Sequence, residues 1–282
     1  MPGHPPRGER VAVGPIAAPG PPRPRTIGWF HGAGLWAHYK RSMMAYFQFA
    51  AAMIGGPIVT SAMLLAVFVV TLGGEGEWRP GVSFAEFVAP GIAMVMIIHQ
   101  AFEHAAALIL EDKHEGTIAD TLMAPLSAFE IMMGYVLAAV TTSLMIGVLV
   151  LALMFVMIGL PLTALWAVVG YAVIAAVLFA LIGAMVGLWA DKWEHFSAAD
   201  SFLILPLGIL SGAFFSLEDL PAAARWLIEA NPVFYVIDGF RFGFIGSQDS
   251  ALALGTGAIL VLTGVFGILT WRLFAVGYKL KP

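Results

Sequence analysis

The 282-residue sequence contains no cysteine, which removes disulfide frameworks, thiolate metal sites and cysteine nucleophiles. Charge is scarce as well. Asp, Glu, Lys and Arg make up 11% of the chain, where soluble domains carry roughly 25%. A soluble globule of this size would need far more polar surface. Net charge is −4 and the isoelectric point is near 5.9, so the basic footprint of a nucleic-acid binder is missing. Only five lysines occur, and Tyr39, Asp112, Asp191, Tyr278 and Leu280 precede them. A phosphate-binding P-loop needs Gly-Lys-Ser/Thr, so the chain does not hydrolyse ATP by that route. Ser211-Gly212 and Ser216 lack a Gly-x-Ser-x-Gly setting, and a serine-hydrolase reading fails with it.

What the chain has instead is apolar length: 60% hydrophobic residues and a mean hydropathy of +0.89. A membrane helix needs roughly 20 mostly apolar residues, because lipid offers the backbone no partners and the bonds must close within the segment. Six such spans are predicted, at about 43–72, 87–110, 131–158, 163–190, 198–217 and 250–271. The third and fourth come from one uncharged run, Ile131 to Ala190, divided at Gly159–Thr163. Pro206 predicts a kink or a shifted backbone in the fifth. Lys40, Arg41, Lys113, Lys192, Arg272, Lys279, Lys281 and four tail arginines fall on one side, and Arg79, Arg225 and Arg241 on the other. By the positive-inside rule both termini face the cytoplasm.

Residues 1–26 hold eight of the seventeen prolines and four arginines, and read as a disordered cytoplasmic tail without a signal-peptide core. From Ile27 to Arg41, Trp29, Phe30, Trp36 and Tyr39 mix with basic residues, which fits either an interfacial helix or a simple aromatic anchor. In the inner loop after the second span, Thr117 with Asp120 and Ser127 with Glu130 form two capping boxes. The first starts a two-turn helix showing Ile118 and Leu122 on one face, and Pro125 ends it. So short a helix needs something packed on it. On the outer side, Pro221 opens a helix carrying Ala223, Trp226, Leu227 and Ala230 on one face. Asn231-Pro232 closes it, and a second apolar stretch leads to Asp238 and Arg241.

Two groups of residues, in order, resemble the membrane subunits of type-2 ABC (ABC-2) exporters. The first is Glu115-Gly116-Thr117, Leu122, Pro125, Ser127 and Glu130, followed by Gly134. The second is Leu205-Pro206-Leu207, Leu210-Ser211-Gly212, Phe214-Phe215, Leu220-Pro221, Trp226, Asn231-Pro232 and Asp238 to Arg241. The resemblance covers roughly residue 27 to the end. It implies an all-α transmembrane domain over 27–282 and a permease that is not itself an enzyme, with no cofactor. It further implies a homodimer in a bacterial inner membrane, served by two copies of a cytoplasmic ATPase. Glu115, Gly116, Thr117, Ile118, Leu122 and Pro125 would then form the ATPase-coupling helix. Pro221, Trp226, Asn231, Pro232, Asp238 and Arg241 would belong to an outer re-entrant segment. Cargo of the family is amphipathic: lipid-linked glycans, polysaccharides or drug-like compounds.

His99, Gln100, Glu103 and His104 share one face of the second span near mid-membrane, where ionisable side chains are costly. They read as interhelical packing, as the wall of a substrate path, or as the proton relay of a secondary transporter. A metal site is the weaker reading, since one helix supplies only i, i+4 pairs. Gly183 and Gly187 form a GxxxG that suits close packing within the chain or at a dimer seam.

Overall fold

The computed structural model describes residues 32–48, 50–71, 77–217, 221–248 and 250–280. The tail over 1–26 and the aromatics Trp29 and Phe30 lie outside them. The described chain is helical apart from one small hairpin.

Helix α1 (Gly32–Gln48) precedes α2 (Ala50–Thr71). The stretch here that is apolar and long enough to cross is Met53–Thr71, later than the predicted start at Met43. A two-stranded hairpin, β1 (Glu77–Arg79) and β2 (Val82–Ser83), follows, turning at Gly81 with φ +81°. Neither strand was legible in so short a segment. Helix α3 (Phe84–Glu115) is 32 residues long and extends the predicted span at both ends. A Ser83–Glu86 capping box starts it, with Ser83 Oγ accepting from Glu86 N. At the far end Glu111 to Glu115 remain helical until Gly116, whose φ of +77° suits only glycine without strain.

Then come α4 (Ile118–Met123), α5 (Ala128–Ile158) and α6 (Leu165–Trp189). The Ser127–Glu130 box caps α5 as the sequence indicates. The Thr117–Asp120 box does not form: the Thr117 side chain makes no cap bond, because its hydroxyl is committed to Asp112.

The predicted fifth span departs most. Its helical stretch is α7 (Trp193–Ala199), a π turn (Asp200–Ile204) and α8 (Leu205–Ile209), followed by non-helical chain from Leu210. Pro206 has no N–H to give Phe202, and the Leu205 N–H reaches back five residues to the Asp200 carbonyl. The break is therefore local chemistry at the proline. Helices α9 (Ala222–Glu229), α10 (Pro232–Ile245) and α11 (Leu252–Val276) complete the order. Five helices among the described residues are apolar and long enough to cross a membrane, at Met53–Thr71, Phe84–Glu115, Ala128–Ile158, Leu165–Trp189 and Leu252–Val276. The predicted fifth span falls short of that standard because it is broken. The protein is a polytopic all-α membrane protein.

Helix α3 is the axis of the bundle, packed on α6, α5, α10 and α2. Glycines set its closest approach. A Cβ on Gly183 would run into the Phe102 carbonyl, and one on Gly187 would lie 2.7 Å from the Ala106 carbonyl. The GxxxG is thus an internal α3–α6 seam. In α11, by contrast, nothing lies within 4 Å of a Cβ on Gly257 or Gly264. We expect Gly183→Ala to cost about 1–3 kcal/mol, because backbone would have to move, whereas Gly264→Ala is tolerated. Thermal melting of the purified variants checks this, and equal melting temperatures would contradict the seam.

Candidate functional site

Three constellations lie at the two ends and the middle of α3. The first is built around Asp112, one turn before the end of α3 and 9% exposed. Arg41 of α1 grips it with both guanidinium nitrogens, Nη1 to Oδ1 at 3.1 Å and Nη2 to Oδ2 at 2.5 Å. Tyr135 of α5 donates its hydroxyl to Oδ2 at 2.5 Å, and Thr117 donates to Oδ1 at 2.7 Å. Arg41 Nη2 also reaches Thr121 Oγ1 of α4 at 3.3 Å. One carboxylate therefore ties four helices together. Sequence reasoning passed over Asp112, Arg41 and Tyr135; the only available signal was an acidic residue adjoining the Glu115-Gly116-Thr117 run.

Docking of α1 is finished by His38. Its ring occupies the notch left by the missing side chain of Gly134 and meets Tyr135 edge-on, centroids 4.6 Å apart. Burial, with Arg41 nearby, pushes the imidazole down to about 4. A detached α1 would carry a histidine of ordinary pKa near 6.5. Between pH 6.5 and about 4 the free form binds a proton that the docked form refuses. Docking is thus complete above 6.5 and weakens as pH falls, by up to about 2 kcal/mol at pH 5. Hydrogen exchange in α1 should speed up from pH 7 to pH 5 after correction for intrinsic rates. His38→Gln should remove most of that dependence; an unchanged slope would contradict it.

Each residue singled out at this end has a definite place. Glu115 is the exposed last residue of α3, and Gly116 makes the left-handed turn. Ile118 is buried at 8% exposure while Leu122 stands 39% exposed, so the two do not share an environment. Met123, at 77%, joins Leu122 on the open side. Pro125 follows α4, exposed, and a cleft of about 550 Å³ separates α4 from α1, lined by His38, Arg41, Thr121 and Pro125 among others.

The second constellation is the polar face of α3, which the structure divides. His99 Nε2 lies 3.2 Å from Asp200 Oδ1 in the π turn, and its Nδ1 lies 3.6 Å from Glu103 Oε2. Gln100 Nε2 donates to Glu103 Oε2 at 3.3 Å. His104 turns away: its Nδ1 is 2.6 Å from Thr142 Oγ1 of α5, and its ring sits 4.7 Å from Tyr46. Three of the four residues converge, and Asp200, unremarked in the sequence, joins them. Among the described residues no group of three His, Asp or Glu has the arrangement of a metal site. Towards the hairpin end, Phe68 of α2 stacks on Phe214 at 5.4 Å and approaches Phe84 at 6.1 Å, so α2 and the chain after α8 meet over α3.

That end is locked by Arg241 of α10, 2% exposed. It donates to the carbonyls of Phe87 at 3.1 Å and Gly212 at 2.8 Å and stacks over the Phe87 ring at 3.8 Å. Asp238 accepts from the Ser250 amide and hydroxyl. Asn231 caps α10 with its side-chain oxygen and donates to the Leu207 and Leu210 carbonyls, holding the end of α8. Pro221 precedes α9, and Pro232 is the first residue of α10. Among the described side chains of α9, Ile228 is buried, whereas Trp226 is 65% exposed.

The sequence model of the ABC-2 type transporter family matches residues 33–245. This chain belongs to the ABC-2 type transporter family. It is 31% identical over 226 residues to the inner membrane transport permease YadH of Escherichia coli strain K12, covering 80% of this chain and 88% of that protein. It is 25% identical over 235 residues to nodulation protein J of Rhizobium leguminosarum bv. viciae, covering 82% and 89%. Nodulation protein J of Rhizobium meliloti gives 25% over 233 residues, covering 79% and 86%. As an ABC-2 permease the chain is a non-catalytic membrane subunit of a transporter. ABC-2 permeases typically pair with ATPase subunits and form dimers.

Proposed function

We propose that this permease works as a homodimer with two cytoplasmic ATPase subunits and exports an amphipathic compound across a bacterial inner membrane. Helix α4 is the coupling helix. The observation carrying this reading is an apolar, exposed end on a helix too short to stand alone, Leu122 and Met123, mounted on the Asp112 junction. Closure of the ATPase pair moves α4. The junction passes the movement to α1, α3 and α5, and the bundles tilt between inward and outward access.

In this reading residues 1–26 are a cytoplasmic tail, 27–282 form the transmembrane domain, and both termini lie inside. The stretch α7–α8 serves as the fifth crossing in chain order, and α9 with α10 is the outer re-entrant segment. His99, Gln100 and Glu103 belong to the substrate path, closed outward by Phe68, Phe84 and Phe214, and His104 packs beside it on Thr142 and Tyr46. Lysine and arginine placement supports the orientation. The inner-membrane location agrees with the name of the Escherichia coli relative. A proton-driven alternative finds support in His99 lying between two carboxylates, and predicts transport without any ATPase. Affinity purification from the native host should recover a P-loop ATPase in equal amount with the permease. A permease purified intact, in mild detergent, without one would overturn the proposal.

A further inference from the structure

Helices α5, α6 and α11 enclose an apolar groove of about 360 Å³, lined by Phe129, Met133, Val140, Leu181, Gly264 and Trp271 among others. None of its lining side chains carries a charge. On α5 the lining runs from Phe129, the second residue of the helix, to Val140, about 17 Å further at ~1.5 Å per residue. On α6 and α11 the deepest lining residues, Val177 and Gly264, are each the thirteenth of 25. The groove therefore runs from one membrane surface to the middle. One leaflet of hydrocarbon is about 15 Å thick, so the groove has the length of an acyl layer. Glycine keeps it open, since nothing lies within 4 Å of a Cβ on Gly264. An unfilled void would forfeit the dispersion contacts of its lining.

The surface end is built differently. Trp271 marks the headgroup level, where indole rings gather. Arg272 continues the groove face one turn beyond Ile268, with Gly264, Ile268 and Arg272 at i, i+4 and i+8. It is exposed and, among the described residues, has no hydrogen-bond or ion-pair partner. The neighbouring carboxylate does not answer it: Glu130 is 1% exposed and is spent on the α5 cap, accepting from the Ser127 amide at 2.7 Å.

We infer that this groove holds one inner-leaflet phospholipid of net negative charge: an acyl chain fills the groove and the phosphate lies against Arg272. Arginine grips phosphate oxygens through a two-pronged fork. One basic residue at the membrane surface is worth about a fivefold preference for anionic lipid. A second copy of the chain suits the groove less well. The two-fold axis of a membrane dimer stands along the bilayer normal, so a seam here would bring two Arg272 side chains to one depth with like charge. Naming the leaflet as inner rests on the orientation given under the proposed function; the groove and its arginine do not.

Palmitoyl-oleoyl phosphatidylglycerol and phosphatidylcholine share chains and phosphate and differ in net charge, which makes them the probes. Each is titrated into the full-length permease in mild detergent, and bound lipid is counted by native mass spectrometry. Phosphatidylglycerol should fill a single site per chain about fivefold more tightly than phosphatidylcholine. Arg272→Gln should abolish that preference, whereas Lys40→Gln, at an exposed cation of α1, should keep it. Gly264→Leu, which fills the groove, should weaken both lipids. Circular dichroism and monodisperse elution of the variants separate lost binding from lost fold. Equal affinity for the two lipids, a preference that survives Arg272→Gln or is lost equally in Lys40→Gln, or binding indifferent to Gly264→Leu overturns the inference. So does an interchain disulfide through Ile268→Cys in native membranes, which would put a second copy in the groove. Orientation is read separately, by an impermeant maleimide on Ala119→Cys in α4. Labelling from the outer side refutes the orientation and leaves the lipid site standing. Protection from the outer side, with no selective lipid binding, refutes only this inference.

Discussion

Leu122→Asp is expected to abolish the permease's stimulation of the proposed partner ATPase while leaving the membrane bundle folded. Leu122 is 39% exposed beside Met123 at 77%, so within this chain neither side chain has much packing to lose. Surface substitutions of that kind usually change stability by less than about 0.5 kcal/mol. A carboxylate forced into an apolar docking groove is different, since burying it unpaired costs several kcal/mol, and each 1.4 kcal/mol is a factor of about ten in affinity. A loss of coupling of at least about 100-fold is expected, with an unchanged melting temperature. Ile118→Asp is the contrasting variant. Ile118 is buried against its own chain, so its replacement should lower the melting temperature as well. Retained stimulation in Leu122→Asp would count directly against α4 as the coupling element.

Asp112→Asn is expected to uncouple in another way. The substitution keeps the shape of the side chain and removes the charge that holds Arg41, while the Tyr135 and Thr117 hydroxyls lose a charged acceptor. Breaking a buried ion pair from one side can cost about 3–5 kcal/mol. Arg41, with 43% of its side chain exposed, can return to water, so about 2 kcal/mol is the expected loss. That is enough to free α1 and α4 from α3 without unfolding the apolar bundle. Proteolytic nicking near residues 41–48 should rise, and ATPase stimulation should fall at least tenfold. A double-mutant cycle with Arg41→Gln should show strong coupling between the two positions; additive effects would mean that the junction is not a unit.

How far the sequence reaches depends on which forces act locally. The long apolar runs and the Ser127–Glu130 box were readable because hydropathy and capping are properties of neighbouring residues. Gly116 and Pro125 mark the limits of α4 for the same reason. The Asp112 junction was not readable: its partners lie 71, 23 and 5 positions away, and only folding brings them together. The polar face of α3 was visible as a helical stripe, but not its division. Periodicity puts His104 beside His99, whereas Thr142 and Tyr46 draw His104 to one side and Asp200 draws His99 to the other. At Pro206 the shifted backbone expected there is found, but the fifth span was misjudged in extent. The structure places a π turn before the proline and ends the helix at Ile209. Gly134 stood out in the sequence without a reason; His38 supplies it.

The central claim is that ATP binding in a separate subunit moves α4. The absence of native cysteine allows one spin label per chain at Ala119→Cys, on the exposed surface of α4. The distance between the two labels of a dimer is then measured by pulsed electron resonance in nanodiscs, with and without the co-purifying ATPase and ATP. The account predicts a shift in the label-to-label distance on ATP addition, seen only when the ATPase is present. A distance distribution that ignores ATP in the full complex, or that shifts identically with the permease alone, would contradict it.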